Sequence, residues 1–463
     1  MITKAHSKNI RPVSLFSAFL VFITVFVSCK KDWLEAKPNQ KLVVPSSIQD
    51  FQAILDNTTM LSSVPGGGEV CADNYYITKD VWDGLPSPID KNSYVWEKDI
   101  FAGLSAGDWN SPYQHIFYAN NVLDEIDKIK PSSSDQSSWN NVKGSALFYR
   151  AFGHYNIASL FAKTYTASTS ATDLGIILKK TADVNEVAYR ANLQESYDFI
   201  LGDLQLAARL LPPLPSIKTR PSKAAAYALL SRVCLSMERY QQAKLYADST
   251  LQIQPNLLDY NTDVNLTANY PFPQLNSEVI FRMTLSSRAI ILNTRAIVNP
   301  VLYASYSNDD LRKDGFYRLT NNILRYKGSY EGSVVSFGGL ATDEVYLNRA
   351  EAYARLGDLN NAMADLNTLM KKRWRNSVTY QNITATDQDD AIRKVLLERR
   401  KELVFRGIRW VDLKRLNKDS KFQVTLTRDL NGQIYTLAPN SNRYVFPIPD
   451  NELLINNVPQ NPR

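Results

Sequence analysis

The sequence predicts a mainly α fold: a scaffold of antiparallel helix pairs, with irregular, loop-rich inserts that carry short strands. Three observations predict it. Several long stretches place apolar residues at helical spacing. Two segments repeat a single helix-pair template. Two further stretches, about 64–110 and 256–340, lack a helical stripe and are rich in Asn, Tyr, Ser and Gly. With 463 residues, 44% hydrophobic and 21% charged, the chain can bury a sizeable core, and the compositions of disorder, collagen and coiled coil are excluded.

The N-terminus reads as an export signal. Lys4, Lys8 and Arg11 form a basic start, and Val13 to Val27 is almost unbroken apolar sequence. That run is too short for a confident membrane span and right for a signal core. It ends in Phe26-Val27-Ser28-Cys29, which resembles the bacterial lipoprotein box with Phe26 where Leu is usual. Residues 1–28 are then a signal peptide, Cys29 carries the lipid, and 29–463 form a single domain that begins with a polar tether over 29–40. More than one acyl chain suffices for stable anchoring. Cleavage removes three cations and no acid, so the formal charge falls from +7 to +4. There is no basic run with interleaved aromatics, and nucleic acid is excluded as a partner.

Ile48, Phe51, Ile54 and Leu55 mark a first helix. Ser111-Pro112 reads as the N-cap and first-turn proline of a second, with Ile116, Ala119, Leu123 and Ile126 on one face. Leu193, Tyr197, Ile200, Leu204, Ala208 and Leu211 form a stripe stopped by Pro212-Pro213. Ile392, Val395, Leu396 and Leu403 mark a late helix. The repeated template is that of tetratricopeptide helix pairs. In 229–255 it is carried by Tyr240, Ala243, Ala247 and Pro255, and in 346–370 by Ala350, Tyr353, Gly357, Ala362 and Leu366. Their offset is not a multiple of 34, which predicts dispersed repeats, not an uninterrupted solenoid.

Catalytic material is sparse. After signal removal only His115 and His154 remain, in no metal-binding spacing; Cys71 and Cys234 could pair in an oxidising compartment, but Cys234 lies in a strongly helical stretch, and two lone buried thiols is the better reading. Gly66-Gly67-Gly68 lacks the Lys-Ser/Thr of a phosphate loop and reads as a flexible turn. Asp309-Asp310 and Asp389-Asp390 read as solvated loop carboxylates. The dense cluster Glu398-Arg399-Arg400-Lys401-Glu402, followed by Arg409 and Asp412 three apart, reads as a structural ion-pair network. These features imply a protein that is not an enzyme, with no cofactor. Function is expected where exposed aromatics leave the scaffold. The candidates are Tyr75, Tyr76, Trp82 and Trp96 early, Tyr303 and Tyr306 in the insert, and Asp73 and Asn74 as hydrogen-bonding neighbours.

Glu398 to Arg415, with Gly407, Trp410 and Asp412, resembles the strongest signature of the SusD-like (RagB/SusD) family of nutrient-binding outer-membrane lipoproteins of Bacteroidetes. Arg406 stands where that family usually has Glu. Phe446-Pro447-Ile448-Pro449 with Gln460-Asn461-Pro462 is similar to its C-terminal motif. Tyr149-Arg150-Ala151-Phe152, Leu160 to Tyr165, Gly175 to Leu178, Arg190, Glu195, Arg220 and Lys223 to Ala226 also fall at family spacing. The resemblance implies an outer-membrane lipoprotein, anchored through its N-terminal lipid and facing the cell exterior. It implies capture of an extracellular oligosaccharide and delivery to a TonB-dependent SusC-like transporter, over which the protein sits as a lid. The alternatives are a peptide or other nutrient as ligand, or a surface glycoside hydrolase.

Overall fold

A computed structural model describes residues 45–463, so the expected signal peptide, Cys29 and the tether lie outside the described residues. Ser47–Arg463 forms one compact unit. In chain order, its principal helices are α1 (Ile48–Leu55), α2 (Gly67–Cys71), α3 (Lys79–Asp83), α4 (Gly107–Ile126), α5 (Gln136–Phe161), α6 (Leu193–Leu210), α7 (Lys223–Ser236), α8 (Tyr240–Ile253), α9 (Pro300–Ala304), α10 (Thr342–Arg355), α11 (Leu359–Lys371), α12 (Gln388–Glu402) and α13 (Arg409–Leu416). The strands used below are β1 (Tyr75–Tyr76), β2 (Val279–Phe281), β3 (Ile297–Val298) and the hairpin β4–β5 (Leu426–Leu430, Gln433–Leu437). Every sheet among the described residues has two strands.

The long helices stack in chain order: α4 on α5, α5 on α6, α6 on α7 and α7 on α8. The stack continues from α8 to α10 and on to α11 and α12, skipping the insert. The two tetratricopeptide-like pairs, dispersed in sequence, are therefore neighbours in space, because the insert leaves the stack and returns to it. Close helix approach follows from small residues: Ala243, Ala247, Ala350 and Ala362 are all fully buried. Gly357 turns α10 into α11 with a φ of +85°, a left-handed conformation that a side chain disfavours. Local signals fix the helix starts. Ser222 accepts the Ala225 amide at 3.2 Å, and Asn192 and Glu195 form a capping box on α6.

The second helix departs from expectation. It starts at Gly107, and Pro112 lies inside it. Trp109 explains the extra turn, since its ring packs 4.9 Å from Phe161 and 4.8 Å from Tyr113. Tertiary packing thus overrides the proline, which costs one helical hydrogen bond.

The insert and the early loops do not hang off the scaffold as open loops. Their aromatics form a second apolar cluster with Tyr75, Tyr94, Tyr260, Phe272, Phe316, Tyr326 and Phe405, beside the main helical core. Antiparallel β1 and β3 join them, with Tyr75 opposite Val298 and Tyr76 opposite Ile297.

Candidate functional site

Five of the eight expected ligand residues serve packing instead. Tyr75 is 1% exposed, donates its hydroxyl to the Val70 carbonyl at 2.9 Å, and lies against Phe405 and Tyr94. Trp96 is equally buried, and its indole N–H donates to the Cys71 carbonyl at 3.1 Å. Both rings enclose the buried Arg428 of β4, whose guanidinium carbon lies 5.4 Å from the Tyr75 centroid and 5.2 Å from Trp96. Tyr306 donates to the Lys401 carbonyl at 2.7 Å beneath Arg312. Asn74 is buried and donates to Glu69 at 2.9 Å. Asp73 accepts both forks of Arg409 at 2.7 and 3.0 Å and also pairs with Arg400, so it is held well below the usual carboxylate range.

The other three stay accessible. Tyr76 is 43% exposed on β1, and Trp82 on α3 and Tyr303 on α9 are half-buried. Trp82 donates its indole N–H to the Lys91 carbonyl, with Lys79 and Lys91 ammonium groups 5.2 and 5.5 Å from its ring. Lys313 lies 4.9 Å from the Tyr303 ring. The β1–β3 pair bears Tyr76, and α3 and α9 follow its two strands in the chain. These accessible rings and the lysines beside Trp82 and Tyr303 are together termed the candidate ledge.

The sequence reading missed a second aromatic concavity, a groove of about 500 Å³ lined by Trp109, Tyr113 and Phe117 of α4, with Asn110, Asn120 and Asp183. Phe117 is 42% exposed. Alternating aromatic and amide residues over two turns of α4 were the available signal, but the segments that complete the groove, 177–184 and 452–456, lie far along the chain.

The Glu398–Arg415 cluster is a buried ion-pair network. Arg399 and Arg415 both hold Asp412, at 2.9 and 2.8 Å, and Arg415 also holds Glu351. The expected Arg409–Asp412 pair is therefore replaced by Arg409–Asp73, because the start of α13 faces the early loop. Asp310 is not a solvated loop carboxylate either: it is buried against Arg312 at 2.6 Å. Asp389 and Asp390 do sit at the exposed start of α12, paired with Lys421 and Lys394.

Glu278, Asp343 and Glu402 bring carboxylate oxygens within 4.8 Å of one another. Arg373 joins Glu278 and Glu402, Arg406 takes Asp343, and the Tyr330 hydroxyl reaches both Glu278 and Asp343. Guanidinium groups thus already occupy the oxygens a cation would need. Arg406, in the position where Glu is usual for the resembling family, supplies one of these positive charges.

Among the described residues, His115 and His154 are buried and lowered by desolvation, to about 4 and about 3, so neither is a proton shuttle at neutral pH. Burial pushes the Cys71 and Cys234 thiols up to about 12, which leaves both unreactive. Gly66 and Gly67 are not a flexible turn. Their amides both donate to Asp108, at 3.1 and 3.2 Å, and the segment is buried.

Known proteins resemble the chain along most of its length. A family profile described as "Starch-binding associating with outer membrane" matches residues 32–235, and one described as "SusD family" matches 342–463. "SusD-like protein P2" of Formosa agariphila is 25% identical over 428 residues, covering 78% of this chain and 81% of the relative. A SusD superfamily protein of Bacteroides vulgatus has a TM-score of 0.74 at 22% identity, covering 90% of this chain and 99% of its own. One from Bacteroides thetaiotaomicron also has a TM-score of 0.74 at 22% identity, covering 90% and 100%. A protein described as a laminarin binding SusD-like protein has a TM-score of 0.63 at 18% identity, covering 89% and 97%. With its tetratricopeptide-like stack and both family profiles matched in order along the sequence, the chain belongs to the SusD family, whose members associate with the outer membrane.

Proposed function

We propose that this protein is a lipid-anchored outer-membrane receptor that captures an extracellular oligosaccharide and passes it, unaltered, to a SusC-like TonB-dependent transporter. The observation that carries the reading is the β1–β3 pairing. It joins segments more than 200 residues apart, and Tyr76 on it, with Trp82 and Tyr303 on the helices that follow its strands in the chain, stays accessible. Sugar C–H faces stack on such rings while neighbouring ammonium and amide groups hydrogen-bond the hydroxyls. The laminarin-binding relative supports a glycan over a peptide as ligand. The anchor rests on the segment ending at Cys29, and Cys29→Ala is expected to abolish acyl labelling and membrane retention.

A second location has its own support, because the α4 groove is an aromatic-lined concavity of about 500 Å³. Calorimetric titration with laminari- and malto-oligosaccharides separates the two. On the ledge reading, Tyr76→Ala, Trp82→Ala and Tyr303→Ala each weaken binding by about 1–3 kcal/mol, by analogy with base stacking on aromatics, and Phe117→Ala leaves it unchanged. The opposite pattern moves the site to the groove. Tight binding in all four variants removes both.

A further inference from the structure

On another part of the surface, α13 ends beside the loop after α5 and the segment 440–445, enclosing a pocket of about 270 Å³. Its lining includes Lys163, Lys414, Lys418, Asn417, Asn442 and Tyr444. Among all its lining residues the sole acid is Asp173, already held by Lys163 at 2.8 Å and by the Thr169 hydroxyl at 2.6 Å. The lining is therefore cationic.

Three of these side chains are buried and short of acceptors. Lys414 is 6% exposed, and its ammonium donates to the Ser159 and Ala162 carbonyls at 2.8 and 2.7 Å. An ammonium has three protons, so one donor remains. Among the described residues no carboxylate lies within ion-pair distance of it, and burial alone lowers it to about 7. The Tyr444 hydroxyl and the Asn417 side-chain N–H₂ are buried, in residues 4% and 0% exposed, with only a weak contact between them, which leaves the Tyr444 O–H and one Asn417 N–H without an acceptor. Burying unsatisfied donors and an uncompensated cation costs free energy that a bound acceptor recovers. Lys418 stands at the rim, paired with Glu238 at 2.6 Å and donating to the Tyr165 carbonyl.

From this convergence of under-partnered donors around Lys414 we infer an oxyanion site, for a carboxylate or sulfate group carried on a single sugar unit. The volume suits one unit, being below the roughly 300–1,000 Å³ of pockets that enclose larger ligands. A smaller cavity of about 150 Å³ adjoins it, sharing Lys163, Asp173 and Asn442, and gives room for the substituent's neighbour. The site is independent of the ledge: either can fail without the other.

The test is calorimetry on the purified full chain with glucuronate, glucose and inorganic sulfate, each up to tens of millimolar. Glucose and glucuronate differ in the carboxylate, so charge is read without altering the protein. Glucuronate is expected to bind at least tenfold more tightly than glucose. Lys414→Met and Tyr444→Phe are expected to reduce that affinity tenfold or more while keeping the wild-type melting temperature within a few degrees. Sulfate binding as tightly as glucuronate keeps the oxyanion site but removes the sugar from it. Equal binding of glucose and glucuronate, no binding of either anion, or affinity unchanged in both folded variants overturns the proposal. Ledge variants such as Trp82→Ala report separately, since they leave glucuronate binding unaffected.

Discussion

Glu69 lies fully buried between the Asn74 side chain and the Gly407 amide, which donates to it at 3.0 Å. Desolvation raises it from its ordinary value to about 7. The Asn74 carbonyl oxygen has no partner. Turning that amide over would let it accept a proton from a neutral Glu69, since amide orientation follows the hydrogen-bond network. A raised carboxyl favours the folded state while protonated. Its contribution is complete below about pH 4.5 and is lost as pH rises through about 7. Thermal melts from pH 5 to 7.5 are therefore expected to fall less steeply for Glu69→Gln than for wild type; parallel curves would show that Glu69 does not titrate there. Arg409 gives a second residue-scale expectation. Removing it leaves the half-buried Asp73 with Arg400 as its one ion-pair partner, and breaking a fully buried pair costs about 3–5 kcal/mol. Arg409→Ala is expected near the lower end by denaturant unfolding, with glycan affinity of the folded fraction unchanged. Asp73 and Asn74 looked like ligand residues because the two arginines that hold Asp73, Arg409 and Arg400, lie more than 300 positions away. Local sequence carries no trace of such pairings.

At the scale of elements, apolar periodicity located the helices reliably. The α6 stripe from Leu193 to Leu211 is buried at every position named from sequence, and Pro212 follows its end. Periodicity failed where tertiary contacts set the conformation. Pro112 lies inside α4, and the Gly66–Gly68 run is a site of close approach. A Cβ on Gly67 would lie 2.3 Å from an Asp108 carboxylate oxygen and 2.8 Å from the Phe446 ring. Gly67→Ala is thus expected to destabilise by about 1–3 kcal/mol through overpacking. Gly202, inside α6 with nothing within 4 Å of its Cβ position, supplies the converse. Gly202→Ala is expected to stabilise by about 0.5–1 kcal/mol. Differential scanning calorimetry on the two variants checks the pair. A harmless Gly67→Ala would mean the α2–α4 contact is looser than these distances indicate.

For the whole molecule, the division into helical scaffold and irregular insert was legible, and their arrangement in space was not. The offset between the repeats suggested dispersal, yet α8 packs on α10 and the stack is continuous. Aromatics outside the helices suggested an exposed face, yet most of them build a second core, because segments without a helical stripe must still bury apolar area to hold one conformation. Of the candidate aromatics, Tyr76 is exposed, and Trp82 and Tyr303 pack half-buried against the edge of that core. Among the described residues no helix is long and apolar enough to cross a membrane. The described histidines and thiols are buried, and arginines occupy the Glu278, Asp343 and Glu402 carboxylates. The central claim is glycan capture without turnover. Its most direct test is to titrate the protein with an oligosaccharide panel, then release the bound sugar after prolonged incubation and measure its mass. The account predicts saturable binding to at least one oligosaccharide, recovered at its original mass. Shortened products, or no binding across neutral and acidic glycans while peptides bind, would contradict it.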